Sequence, residues 1–175
     1  LPGLLYERLD EFGIDYAVAT LGTATTPEHI QLLMRSAPEL VFCFDGDKAG
    51  REAAWKALET ALPFVTGAQT LRFLLLPEGE DPDSFVRTRG KEAFESVLAK
   101  AEPMSEYMLR ELTSRVNMRS AEGRAKFLQD AKPMLAQIKA PMLSLVLRKQ
   151  SAGLGDVSQE ELESRYGIKS VSRPR

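Results

Sequence analysis

Two pairs of aspartates, each spaced one residue apart, carry the most chemical information in this chain. Asp45 and Asp47 follow the apolar run Val41, Phe42, Cys43 and Phe44, and Asp81 and Asp83 follow the run LRFLLL at 71–76 after a short loop. Carboxylates at i and i+2 can both turn toward one hard cation. Mg²⁺ is commonly held by one or two carboxylates, with substrate phosphates completing its shell. The same residues suit helix caps and turns, because Asp is a favoured N-cap and Pro82 is well placed for a first helical position. One D-x-D pair does not separate these readings. Two pairs, each directly after an apolar strand, favour a cation site, because clustered carboxylates repel one another unless positive charge neutralises them.

The elements that must position these acids follow from the pattern around them. A run without polar alternation suits a parallel strand buried on both faces, so residues 41–44 and 71–76 read as strands, with 16–21 as a third. In open α/β sheets, ligands bind outside the carboxyl ends of the strands, where Asp45 then sits. Gly46 and Gly50 lack side-chain bulk, which lets a ligand approach the backbone. From Arg51 the pattern is helical through Trp55, Leu58 and Leu62, and Pro63 stops it. Thr26, Pro27 and Glu28 read as N-cap, N1 and first-turn acid of a helix that Ala37 and Pro38 end. Residues 1–12 read as a helix, with Leu5, Leu9 and Phe12 on one face and Gly13 as its C′ residue.

Helices alternating with apolar strands imply βαβ units and a mostly parallel sheet covered by helices. Beyond Gly90 no strand is readable. Apolar residues at helical spacing (Phe94, Leu98; Met108, Leu112; Phe127, Leu135) give a small all-helical subdomain over about residues 91–150, with Pro133 expected to kink or divide one helix. The expected organisation is therefore an α/β core at 1–90, a helical subdomain at 91–150, and a polar linker at 151–175 with a short helix around 158–166. The methionines read as core filler.

Composition limits the function classes. The chain has 175 residues, 43% apolar and 27% charged, and a formal net charge of −2. That is an ordinary globular composition. No apolar run is long enough to span a bilayer, and no signal-peptide pattern opens the sequence. The single Cys43 lies in the apolar run and reads as core, so a cytoplasmic protein is expected. Free-standing nucleic-acid binders are usually basic. If this chain handles nucleic acid, a metal or another segment must supply the positive charge. His29, in the first turn of a helix without Cys or His neighbours, is not expected to bind zinc.

An apolar strand followed by Asp45-Gly46-Asp47-Lys48-Ala49-Gly50-Arg51 resembles the D-x-D motif of the Toprim fold. The stretches YAVATLGT at 16–23, WKALE at 55–59 and LPEGEDPD at 76–83 narrow the resemblance to bacterial DnaG-type primases. The resemblance covers about residues 10–150. It implies synthesis of short RNA primers on a single-stranded DNA template from ribonucleoside triphosphates, by metal-dependent nucleotidyl transfer. It also implies Mg²⁺ or Mn²⁺ held by Asp45, Asp47, Asp81 and Asp83, with Asp45 and Asp47 catalytic. Lys48 and Arg51 either face phosphate or form a solvated helix start. Zinc is expected only in a separate N-terminal domain, and helicase contact only through a further C-terminal domain.

One departure matters. The family carries a Glu in a stretch of the form E-G-Y-M-D; counting back from Gly13, that Glu falls at Leu1 and the motif's Asp at Leu5. The isolated chain is therefore expected to be inactive. The competing readings are another Toprim protein, such as a nuclease or topoisomerase, and a non-catalytic module whose acids only cap helices.

Overall fold

The computed structural model describes residues 4–9 and 15–168. The element order is β1 (Leu4–Leu9), β2 (Asp15–Thr20), α1 (Pro27–Ser36), β3 (Glu39–Gly46), α2 (Lys48–Ala61), a 3₁₀ turn (Leu62–Phe64), β4 (Thr70–Glu78), α3 (Pro82–Leu98), β5 (Glu102–Pro103), α4 (Met104–Ser114), α5 (Ala121–Gln137), α6 (Pro141–Leu154) and α7 (Gln159–Tyr166). The strands form one sheet in the order β1-β2-β3-β4-β5. Its centre, β2-β3-β4, is parallel, and both edges are antiparallel. The α/β class and the mostly parallel sheet are as expected.

β3 is central because both of its faces are apolar. Val41 and Cys43 join Val18, Leu74 and Leu76 in a cluster closed by Phe85, Phe94 and Leu98 of α3. On the opposite face Phe42 meets Phe73 edge-on at 5.7 Å, Phe73 stacks on Tyr107 at 4.8 Å, and Tyr107 meets Trp55 of α2. Helices thus cover the sheet from both sides. α1 is built as the sequence suggests. The Thr26 hydroxyl accepts from His29 N–H, and His29 Nδ1 accepts from Thr26 N–H, which engages the imidazole in a capping box.

Several expectations are corrected. Residues 4–9 are a strand and not a helix. The i, i+4 spacing of Leu5 and Leu9 is even and so fits the period of a strand as well as that of a helix, and antiparallel pairing with β2 satisfies the backbone there. Leu1 and Gly13 lie outside the described residues; Leu5 lies in β1. A short strand, β5, does follow Gly90, because Glu102 and Pro103 pair with Phe73 and Arg72 at the β4 edge. Gly90 itself interrupts α3, with φ 85°. α5 runs through Pro133, which is exposed, while Ala131, Met134 and Leu135 beside it are buried. Of the methionines, Met34, Met104, Met108 and Met134 are core, but Met142 is exposed.

The chain divides into two compact units, Leu1–Tyr107 and Met108–Arg175, instead of breaking after residue 90. Phe94 and Leu98 belong to the sheet's core cluster, which ties that stretch to the first unit. In the second unit, residues beyond 150 are not a plain linker. α6 extends to Leu154, and α7 is held by Arg148 Nε to Glu163 Oε1 at 3.1 Å. Arg148 also donates to the Ser144 hydroxyl, Gln159 donates to Glu163, and the Tyr166 hydroxyl donates to Leu128 C=O. Burial pushes the Tyr166 phenol up to about 12.

Two stability outcomes follow. Phe42→Ala should cost about 3–5 kcal/mol in urea unfolding, since a fully buried ring on the central strand is removed; a loss under roughly 1 kcal/mol would mean that β3 is not central. In the second unit, Arg148→Ala should cost about 3 kcal/mol by stranding a buried carboxylate. The double change Arg148→Met with Glu163→Leu should cost less than that single change, whereas additive losses in the same melts would refute the pairing argument.

Candidate metal centre

Both acidic loops leave the sheet at its carboxyl edge, from strands that are direct neighbours. Gly46 is what lets them meet. A Cβ there would lie 2.1 Å from Pro77 O and 2.3 Å from Leu76 O, so no larger residue fits without moving backbone. In its place, Gly46 N–H donates to Glu80 C=O at 3.0 Å, joining the β3 loop to the β4 loop. Gly50 is equally constrained, since its Cβ would lie 1.9 Å from Asp45 O. The two glycines therefore admit the protein's own backbone, and not a ligand as their spacing suggests.

The aspartates take different local roles. Asp47 Oδ1 accepts from Gly50 N–H at 2.7 Å and caps α2. Asp81 Oδ1 accepts from Ser84 N–H at 2.8 Å and caps α3, with Pro82 at N1. The capping reading is therefore correct for these two residues, and each uses only one carboxylate oxygen. Asp83 lies exposed in the first turn of α3. Asp45 caps nothing. Its carboxyl is raised above the ordinary value, first because its position removes water, then because Asp47 and Asp81 add like charge. Asp47 lies on the same loop and Asp81 on the other, so like charge reaches Asp45 from both.

Asp45, Asp81 and Asp83 line an open cavity of about 320 Å³ with Thr20, Leu21, Gly22 and Pro82. The residues at 20–22 carry no acidic signal. Their position at the carboxyl end of β2, beside β3, is the one clue to them in the sequence. Among the described residues, no three His, Cys, Asp or Glu side chains converge to hold one ion. The donor set is carboxylate oxygen, which suits a hard cation that keeps most of its shell for water or phosphate.

The remaining candidates are less engaged. Lys48 Nζ stands 4.0 Å from Glu52, and both side chains are largely exposed, so the pair is worth little. Arg51 is exposed on the first turn of α2, and its N–H donates to Asp47 C=O. Glu80 is taken by Arg89 at 2.8 Å. Burial, with the Asp45 charge behind it, pushes the Cys43 thiol up to about 12, so the thiol is inert at neutral pH.

Known proteins resemble this chain in sequence and fold. A Toprim-like family model matches residues 8–86. A model described as the DnaB-helicase binding domain of primase matches residues 105–160, inside this chain, whereas the resemblance by itself points to helicase contact only beyond it. The DNA primase of Escherichia coli (strain K12) is 46% identical over 170 residues, covering 95% of this chain and 29% of that protein. A crystal structure of a DNA primase domain from Pseudomonas aeruginosa superposes with TM-score 0.78 at 41% identity, over 83% of this chain and 46% of that one. A structure of the DnaG primase catalytic domain bound to ssDNA gives TM-score 0.74 at 43% identity, over 81% and 45% of the two chains. Carrying the acids of both D-x-D pairs on a sheet of this topology, the chain belongs to the bacterial DnaG-type primases, as a segment of their catalytic core.

Proposed function

We propose that this segment supplies the metal-binding part of a primase that makes short RNA primers on single-stranded DNA. The observation that carries the reading is the backbone joint at Gly46 and Glu80, which sets two acidic loops side by side at the edge of a parallel sheet. Asp45, Asp47, Asp81 and Asp83 would hold Mg²⁺ or Mn²⁺, with Asp45 and Asp47 closest to the chemistry. When bound, the ions would stabilise the attacking and leaving oxygens of nucleotidyl transfer. The chain's own part is positioning. Asp47 and Asp81 are pinned by their helices, Asp45 stays open to the cavity, and Lys48 and Arg51 lie within the same loop and first turn to meet triphosphate charge.

The template strand, ribonucleoside triphosphates and primer act on the full-length parent, which works in the bacterial cytoplasm. Zinc belongs to another domain of that parent. For the replicative helicase, the family description of residues 105–160 supports a contact through the second unit, beside any contact through a C-terminal domain. Since Leu1 and Leu5 replace the family's two acids, the isolated chain should make no primers.

Two experiments test this reading. In the full-length parent, Asp45→Ala or Asp47→Ala should abolish primer synthesis with the fold retained. Near-normal priming by the Asp45→Ala parent would reduce these residues to structural roles.

The second test is thermal melting of this chain. Because the Asp45 carboxyl is raised, its ionised form costs stability in the metal-free fold. That cost is present at neutral pH and is relieved as pH falls through the folded value. Asp45→Asn should therefore melt higher than the parent sequence at pH 7 without metal, and the gain should vanish below pH 3.8, the ordinary Asp value. Adding Mn²⁺ should raise the melting temperature of the parent sequence but not of Asp45→Asn. Asp47→Asn retains a capping oxygen and should lose only the Mn²⁺ response, whereas Asp47→Ala should also cost about 1 kcal/mol. An unchanged Mn²⁺ response in both Asn variants would exclude the site.

A further inference from the structure

The formal charge of −2 hides a strong segregation. The first unit, Leu1–Tyr107, has ten Lys and Arg against eighteen Asp and Glu, while the second, Met108–Arg175, has thirteen against seven. A basic second unit is unexpected in an acidic chain, and charge asymmetry of this kind points to a polyanionic partner.

Four arginines cluster around the connection 115–120 between α4 and α5, against the two acids Glu111 and Glu122. Arg110 lies in the last turns of α4, Arg115 and Arg119 are on the connection, and Arg124 is in the first turn of α5. Arg110 Nη1 and Arg115 Nη2 approach the same carboxylate, Glu111, at 3.4 and 4.0 Å, and both guanidiniums are about half exposed. Arg119 is exposed, and its side chain has no ion pair among the described residues. Arg124 Nη1 donates to Met118 C=O at 3.3 Å and Arg119 C=O at 3.1 Å, which fixes the shape of the loop. Gly123 lets the helix start pack closely beneath it, since a Cβ there would lie 1.8 Å from Asn117 O.

We propose that this arginine loop grips the phosphate backbone of single-stranded DNA through Arg110, Arg115 and Arg119, with Arg124 as the positioning residue. Guanidinium forks match phosphate oxygens in pairs, and neutralising phosphates releases counterions. For this loop, as distinct from the rest of the unit that the helicase contact would use, a protein partner is the weaker match. Protein interfaces centre on apolar area, yet Val116 and Met118 here are half-buried. Among the described residues of this unit, the exposed large apolar side chains, Met142, Leu145, Val146 and Leu154, all belong to α6. The loop carries no base-reading arrangement, so its grip is independent of sequence.

The inference rests on the parent being a template-using polymerase, and its test is kept apart from the metal site. Binding of a fluorescein-labelled oligo-dT to the whole chain is followed by anisotropy in EDTA across a salt series. Arg115→Glu with Arg119→Glu should weaken binding by about tenfold or more and flatten the log–log salt slope by roughly 0.7 for each phosphate no longer neutralised. Arg115→Gln with Arg119→Gln should weaken it less, in the same direction. Arg35→Glu with Lys100→Glu makes the same change in net charge on the first unit and should leave affinity within about twofold. Unchanged affinity in the arginine variants overturns the proposal, as does equal weakening by the control pair. Either result leaves the Mn²⁺ response of the aspartates untouched.

Discussion

The candidate site depends on a single close approach of backbone to backbone. β3 and β4 lie side by side, and their continuations must share one small volume at the sheet edge. Only a residue without Cβ can stand at position 46, where Pro77 and Leu76 carbonyls crowd the space a methyl would need. The bond from Gly46 N–H to Glu80 C=O then joins the two loops. Because the joint is made of main chain, the acidic side chains are free of it. They are carried into proximity without having to hold the loops together. The cost is electrostatic, and it is visible at Asp45, whose carboxyl is raised by lost water and by the charges of Asp47 and Asp81.

In that arrangement helix cap and cation ligand need not be rival roles for one aspartate. The two roles would exclude each other only if capping consumed the whole carboxylate. Asp47 and Asp81 each spend Oδ1 on a helix N–H and keep the other oxygen. A cap fixes the rotamer of its side chain, which is what an ion site needs from its ligands. Asp45 differs: no hydrogen bond restrains its side chain among the described residues. Two anchored carboxylates and the open ones of Asp45 and Asp83 would make an incomplete set for the proposed ion, which would draw its remaining ligands from a phosphate-bearing substrate.

Most of what positions the acids is legible in the sequence. Apolar runs without alternation give β3 and β4 and their parallel pairing. Thr26 and Pro27 mark the start of α1, and Asp81 and Pro82 that of α3. What cannot be read depends on distant partners. Residues 4–9 have helical spacing, yet pairing with β2 makes them a strand. Glu102 and Pro103 carry no strand propensity and join the sheet only because the β4 edge is open to them. Pro133 breaks helices in isolation, but flanking buried residues hold α5 together around it. Gly46 reads as open space for a ligand, when its need comes from carbonyls about thirty residues away in sequence.

The distribution of charge answers a second demand. A nucleotide's phosphates and the carboxylates around Asp45 would repel each other, so the chemistry proposed for this edge would require a cation between them. A polymer of phosphates poses a different problem, because no few bound ions neutralise a long strand. Its backbone has to be met by fixed side-chain charge, and the first unit has too little of it. The second unit has the excess, and part of it lies where two arginines approach Glu111 and where Arg124 holds the intervening loop in shape. Metal-dependent chemistry and strand retention would thus make opposite electrostatic demands, and the two units differ in charge in the sense that those demands would require.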